Sequence, residues 1–292
     1  MRPWKLLCVC ATLSLVPESG FSDSRVSRME LDSKVSGLSG LSFGFDGKLF
    51  AVAERERVMV VLSLQSRRVS DEYEIVGVPP GLDLESLAYL GGARFAVGTE
   101  SLTPMRASDP ILILEKKGKE MVVRSSTLAF DYSRFGMSAS PNAGVEALCA
   151  VPGAIFAGAE PVLANPRRAP LLRFESDGSV TPFELELTSN EGKLSALACR
   201  PNESGVMFIG IERHYGISRV IRFVIGRAEK ARVVRVGEII DLAPSLGDAI
   251  PNLEGIEWLS ESKIATLSDS SAGVFASKTF AVIIELNRPA RP

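Results

Sequence analysis

The sequence predicts an all-β fold of the β-propeller type, on three observations. Five similar hairpins recur along the chain, each is followed by further apolar strands, and no stretch of ten residues after residue 21 keeps a 3.6-residue apolar period. An α/β fold would need such helical stretches between its strands.

The hairpins are GLSGLSFGFDGKLFAVAE (37–54), LDLESLAYLGGARFAVGTE (82–100), AGVEALCAVPGAIFAGAE (143–160), GKLSALACRPNESGVMFIGIE (192–212) and PNLEGIEWLSESKIATLSD (251–269). Each has an apolar run, a turn, and a second apolar run that ends in an acid. A matched position follows a Leu or Val in the first run: Ser39, Glu85, Glu146, Ser195 and Glu254. These are spaced 46, 61, 49 and 59 residues apart, the size of propeller blades. The closing acids are Glu54, Glu100, Glu160, Glu212 and Asp269, lying 15, 15, 14, 17 and 15 residues further on. The midpoints fall on turn residues such as Asp46-Gly47, Gly91–Ala93 and Gly153. Residues equidistant from a hairpin turn sit opposite each other, so this counting places the two matched positions of each copy side by side.

The other elements follow in order. RVSRMEL (25–31) is an unpaired strand before the first copy. Third strands are VMVVLSL (58–64), ILILE (111–115), LLRFE (171–175), SRVIRFVI (218–225) and FAVIIEL (280–286). Fourth strands are DEYEIVGV (71–78), EMVVRSSTL (120–128), SVTPFELEL (179–187) and RVVRVGEII (232–240), and the fifth copy lacks one. The simplest arithmetic is five four-stranded blades, with the N-terminal strand completing the last. A six-bladed ring with one poorly matching blade is an alternative. A β-sandwich leaves five copies of one hairpin unexplained.

Residues 1–21 read as an export signal. Arg2 and Lys5 precede the apolar run LLCVCATLSLV (6–16), and small or polar residues follow Pro17. The run is too short to span a bilayer, and no later segment reaches 18 continuous apolar residues. The expectation is a secreted or periplasmic single domain over residues 22–292, monomeric and without a membrane span. With 33 Lys+Arg against 35 Asp+Glu, no basic excess exists to bind nucleic acid. The single histidine, His214, rules out a multi-His zinc site. Cys149 and Cys199 fall on first strands with opposite parity, which suits either a disulfide between facing blades or two buried thiols.

In a propeller the first strand of each blade lines the axis, and first strands begin where second strands end. The matched acids therefore gather at one mouth. Glu54, Glu85, Glu146, Glu254 and Asp269 are candidate ligands for a hard cation such as Ca2+. Glu100, Glu160, Glu212 and His214 are candidate acids and bases. Crowded carboxyls can also share protons at raised pKa, pair with arginines, or cap the backbone of a neighbouring blade. Arg55, Arg106, Arg167, Arg168 and Arg213, with Lys278, fall in the loops at the same end and suit an anionic small-molecule ligand.

At DLESLAYLGGARFAVGTE (83–100), NAGVEALCAVPGAIFAGAE (142–160), KLSALACRPNESGVMFIGIERHY (193–215) and NLEGIEWLSESKIATLSDSS (252–271), the sequence resembles the exported phytase-like propeller family named for "esterase-like activity of phytase". The likeness spans most of residues 36–286. It implies a propeller with phosphoesterase or esterase activity, assisted by calcium. Ser39 and Ser195 depart from the Glu pattern, which breaks the symmetry of any metal ring. The expectation is a hydrolase of phosphate or carboxyl esters at the acidic mouth. The alternatives are a non-catalytic binding scaffold and, last, a glycosidase, which the few aromatics near the mouth disfavour.

Overall fold

The computed structural model describes residues 24–163, 167–227, 229, 231–247, 251–269 and 278–286. The expected leader lies outside them, as does the stretch 270–277. Among the described residues no helix is long and apolar enough to cross a membrane.

The chain is a β-propeller built from four-stranded antiparallel meanders. Strand β1 (Arg25–Leu31) comes first. The first meander is β2 (Leu38–Phe43), β3 (Leu49–Ala53), β4 (Val58–Ser63) and β5 (Arg68–Val76). The second is β6 (Leu82–Gly91), β7 (Arg94–Ser101), β8 (Ser108–Lys117) and β9 (Glu120–Asp131). The third is β10 (Ala147–Val151), β11 (Ala154–Gly158), β12 (Arg168–Glu175) and β13 (Val180–Glu186). Next come β14 (Lys193–Asn202), β15 (Gly205–His214), β16 (Ile217–Gly226), β17 (Val233–Arg235) and β18 (Glu238–Asp241). The last are β19 (Asn252–Ser260), β20 (Lys263–Asp269) and β21 (Thr279–Glu285). Strand β1 pairs with β21 from Arg25↔Glu285 to Leu31↔Thr279, so the N-terminal strand completes the last sheet.

Two outer edges depart from the expected pattern. The stretch 232–240 is not one strand: β17 runs parallel to β13, whereas β18 pairs with β16. The chain crosses from the rim of one blade to the next, held by Glu184 N–H donating to the Arg232 carbonyl at 2.7 Å. Likewise β5 and β9 pair in parallel through Glu74–Val76 and Glu120–Val122, which joins the first two blades into one eight-stranded sheet.

The first strands form a closed ring, with β2 against β6, β6 against β10, β10 against β14, β14 against β19, and β19 back against β2. Five short motifs build this ring: LSGL (38–41), LESL (84–87), VEAL (145–148), LSAL (194–197) and LEGI (253–256). The last residue of each, Leu41, Leu87, Leu148, Leu197 or Ile256, is buried on the axis, and together they leave no room there for water. The third residue is small because neighbouring strands nearly touch. A Cβ at Gly40 (φ +61°) would lie 2.7 Å from the Leu87 nitrogen, and one at Gly255 would lie 2.9 Å from the Leu41 Cβ.

Each junction of the ring carries a polar or covalent stitch. The Ser39 hydroxyl donates to the Glu85 carbonyl, Ser86 to the Val145 carbonyl at 2.6 Å, and Ser195 to the Leu253 carbonyl at 2.9 Å. A disulfide joins Cys149 of β10 to Cys199 of β14 with Cα atoms 5.7 Å apart, which resolves the two readings of these cysteines. The Phe43 N–H donates to the Glu257 carboxyl at 3.1 Å and closes the last blade onto the first.

The disulfide spans 50 residues. On loop-closure grounds, replacing both cysteines by serine is expected to cost about 3–4 kcal/mol. Urea unfolding of the double variant beside the parent protein checks this.

Candidate functional site

The apolar plug on the axis separates two cavities. The one at the hairpin-turn end is about 150 Å³ and is lined by Phe43, Cys149, Cys199 and Glu257 among others. The one at the opposite end, the mouth, is about 340 Å³ and is lined by Glu54, Arg55, Glu85, Glu100, Asn142, Glu146, Glu160, Arg213, Asn252 and Glu254. Six carboxyls thus meet two guanidinium groups in one pit with an apolar floor.

The carboxyls arrive there by a different register from the one that counting predicts. Glu85 does not face Glu100; Asp83 does. The ladder shifts between Leu84 and Ser86, which makes Glu85 the extra residue of a β-bulge. The same shift falls at Ser195 and at Glu254. A bulge bends its strand and re-aims one side chain, and here it turns the bulged residue toward the axis. The closing acid faces the residue two positions earlier: Asn252 pairs with Asp269, Gly37 O accepts from Glu54 N–H, and Gly144 O accepts from Glu160 N–H. Gly144 has to be glycine, because a Cβ there would lie 2.3 Å from the Glu100 Cβ.

In the fourth blade the register slips by one. Lys193 faces Arg213, and Leu194 faces Glu212. A one-residue slip turns a side chain to the other face of the sheet, so Arg213 occupies the place that Glu212 was expected to fill. Arg213 Nη2 contacts Glu254 Oε1 at 2.5 Å. Glu212 is fully buried away from the mouth and accepts from Thr188 N–H (2.9 Å), the Thr188 hydroxyl (2.6 Å) and the Ser189 hydroxyl (2.5 Å). It pins the loop 188–192 to the blade.

The other expected site residues divide in the same way. His214 does not line the mouth; its Nδ1 lies 3.6 Å from a Glu191 oxygen and its ring meets Tyr215 edge-on. Arg106 is committed to Asp109 at 2.6 Å and to the carbonyls of Ser101, Thr103, Ser140 and Ala143. Arg167 donates to the carbonyls of Gly192 and Glu191, and Arg168 binds Glu184 at 2.8 Å. Lys278 lies 3.1 Å from Glu30. These cations hold loops and outer strands through the contacts just named. Arg55 remains at the mouth, largely exposed and 3.7 Å from Asp83. The Asp269 backbone pairs with Asn252, and its side chain is outside the described atoms.

Counting missed Asn142, Asn252 and Lys193, which binds Glu160 at 2.8 Å. It also missed Glu257. Asn252 and Lys193 stand two residues before the matched positions, so the repeat alignment itself could have found them.

The electrostatics follow from crowding over a dry floor. Burial, then the neighbouring Glu146, Glu100, Glu54 and Glu254, push the Glu85 carboxyl well above its ordinary value. Burial, then Glu160 and Glu254, do the same to Glu146. Glu100 is raised from 4.5 to about 7, by burial first and Glu160 second, and a hydrogen bond from Glu85 opposes this. A carboxyl and a carboxylate sharing one proton account for that pair. At the other end of the axis, burial raises Glu257 to about 7 against two backbone N–H bonds. All-oxygen donors suit a hard cation, yet among the described residues no three His, Cys, Asp or Glu side chains converge to hold a metal ion.

No family model and no curated protein matches the chain. Solved structures do. A glutaminyl cyclase from Myxococcus xanthus aligns with a TM-score of 0.55 at 15% identity, covering 91% of this chain and 97% of that one. The PQQ-bound aldose sugar dehydrogenase of Streptomyces coelicolor aligns with a TM-score of 0.50 at 12% identity, covering 90% and 99%. At such identities the likeness speaks for the propeller fold alone.

The raised carboxyls set the sign of a pH effect. A carboxyl whose folded pKa lies above its unfolded one stabilises fully below the unfolded value, and that contribution is lost as pH rises through the folded value. For Glu100 and Glu257 the window runs from 4.5 to about 7. Thermal melts are expected to give a higher Tm at pH 5 than at pH 7.5. Glu257→Gln should flatten part of that slope.

Proposed function

We propose that the mouth is the active site of an ester hydrolase that works by carboxyl acid–base chemistry. The observation that carries this reading is the pairing of Glu85 with Glu100 in a 340 Å³ pit, where burial and then Glu160 raise Glu100 to about 7. A general base works best with a pKa near the operating pH. In this reading Glu100 takes a proton from water as the water adds to the ester carbonyl. The C–O bond to the leaving group then breaks, and Glu100 returns the proton to the departing oxygen. Arg213 and Arg55 line the pit and face the negative charge that develops on the carbonyl oxygen. Glu85 positions Glu100 through their shared hydrogen bond.

The resemblance to the phytase-like propeller family favours an ester substrate. The electrostatics narrow the kind. Like charges about 4 Å apart repel by roughly 4 kcal/mol at an effective dielectric near 20. A phosphate dianion meets that cost at each carboxyl of the mouth that is ionised, whereas a carboxyl ester does not. The donor set has the chemistry for calcium, but among the described residues its acids do not converge on one point. The interblade disulfide fits an oxidising compartment outside the cytosol.

The test is turnover of p-nitrophenyl acetate and butyrate beside p-nitrophenyl phosphate. Carboxyl esters are expected to be the faster class. Glu100→Gln should lower kcat by about 100-fold or more with an unchanged far-UV spectrum. Full turnover in that variant overturns the assignment.

A further inference from the structure

We propose that the mouth receives the ammonium group of an organic amine, which makes an amine-bearing molecule its ligand. This rests on the mouth being the functional site, and not on the hydrolytic step.

Three observations lead here. The first is the orphaned oxygen of Glu85. Glu85 is 4% exposed and lines the mouth, and its Oε1 has no hydrogen-bond partner. Its bond to Glu100 therefore uses the other oxygen. A buried acceptor without a donor costs about 1–3 kcal/mol, and a ligand N–H in the pit removes that cost. The second is charge. Six carboxyls outnumber the three cations at the pit, Arg55, Arg213 and Lys193, and an ammonium beside the raised carboxyls favours their ionised form. The third is size and spacing. The pit holds about 340 Å³, roughly ten times the share of one liquid water. Among the described residues its acids do not close on a single point as a bare metal ion requires. An ammonium needs only two or three acceptors at about 2.8 Å and carries a carbon body that fills the remaining space.

The surroundings suit such a body. The floor beneath Glu85 is the apolar plug that includes Leu87 and Leu148. At the same end, Leu102, Met105 and Tyr215 expose 70%, 79% and 95% of their surface. An amine with a short apolar chain would place its head among the carboxyls and its chain along this rim.

The choice of variant at Glu85 separates an accepting oxygen from a mere negative charge. In Glu85→Gln the amide offers one carbonyl oxygen to the pit and one N–H donor to Glu100, copying the protonated acid. Glu85→Leu removes both.

The experiment is calorimetric titration of the full chain with putrescine, tetramethylammonium and CaCl2 in turn. Putrescine is expected to bind once per chain, at least about tenfold tighter than tetramethylammonium, which has no N–H to donate. Glu85→Leu should weaken putrescine by about tenfold or more, and Glu85→Gln by less than about threefold. The proposal is overturned if putrescine does not bind, if tetramethylammonium binds equally well, or if millimolar CaCl2 displaces putrescine. It is also overturned if Glu85→Gln loses as much as Glu85→Leu. Ester turnover in Glu100→Gln is read separately. Loss of turnover there with no amine binding leaves the mouth as the site and removes the amine. Amine binding with no ester turned over by the parent protein removes the hydrolysis and keeps the ligand.

Discussion

Everything in this molecule depends on five short strands meeting around one axis. The space between them is filled by one aliphatic side chain from each, Leu41, Leu87, Leu148, Leu197 and Ile256. That packing demands small residues next door, at Gly40, Ser86, Ala147, Ala196 and Gly255, since the backbones almost touch. It also fixes where the preceding residue of each motif goes. In three of the five strands that residue is a glutamate, so closing the ring brings carboxyls together.

Burial and repulsion at the mouth are therefore consequences of a structural requirement. The plug keeps water from reaching the carboxyls along the axis, and their mutual approach disfavours full ionisation. Where the matched residue is serine, its hydroxyl bonds the backbone of the next blade instead. The same position thus serves two ends: glutamate supplies chemistry to the pit, and serine supplies a stitch. Glu257 shows a third arrangement, a carboxyl at the far end of the axis that closes the ring by accepting the Phe43 N–H.

The cations follow a comparable division. Arg106, Arg167 and Arg168 lie in loops or at a strand start near the mouth, where an anion-binding rim was expected. They donate to Asp109, Glu184 and backbone carbonyls. A loop that must hold its shape above a blade has many carbonyls to satisfy, and an arginine with five donors satisfies several at once. Charge type and position along the chain were legible; engagement was not. The result is a pit more acidic than the sequence suggested.

The repeats were legible because each blade must solve the same packing problem. Its solution, an aliphatic residue, a polar one, a small one and an aliphatic one, is written in consecutive letters. The N-terminal strand that completes the last sheet was legible for the same reason, as a strand without a partner. By itself the sequence determined the propeller, the location of its axis and the gathering of acids at one end. Register belonged to the tertiary structure. The bulges at Glu85 and Glu254 arise because the ring needs an extra residue to turn a side chain inward, and the slip in the fourth blade exchanges Glu212 for Arg213. A shift of one residue changes no letter and little composition, yet it reverses which side chain faces the axis. Only the packed neighbours decide that.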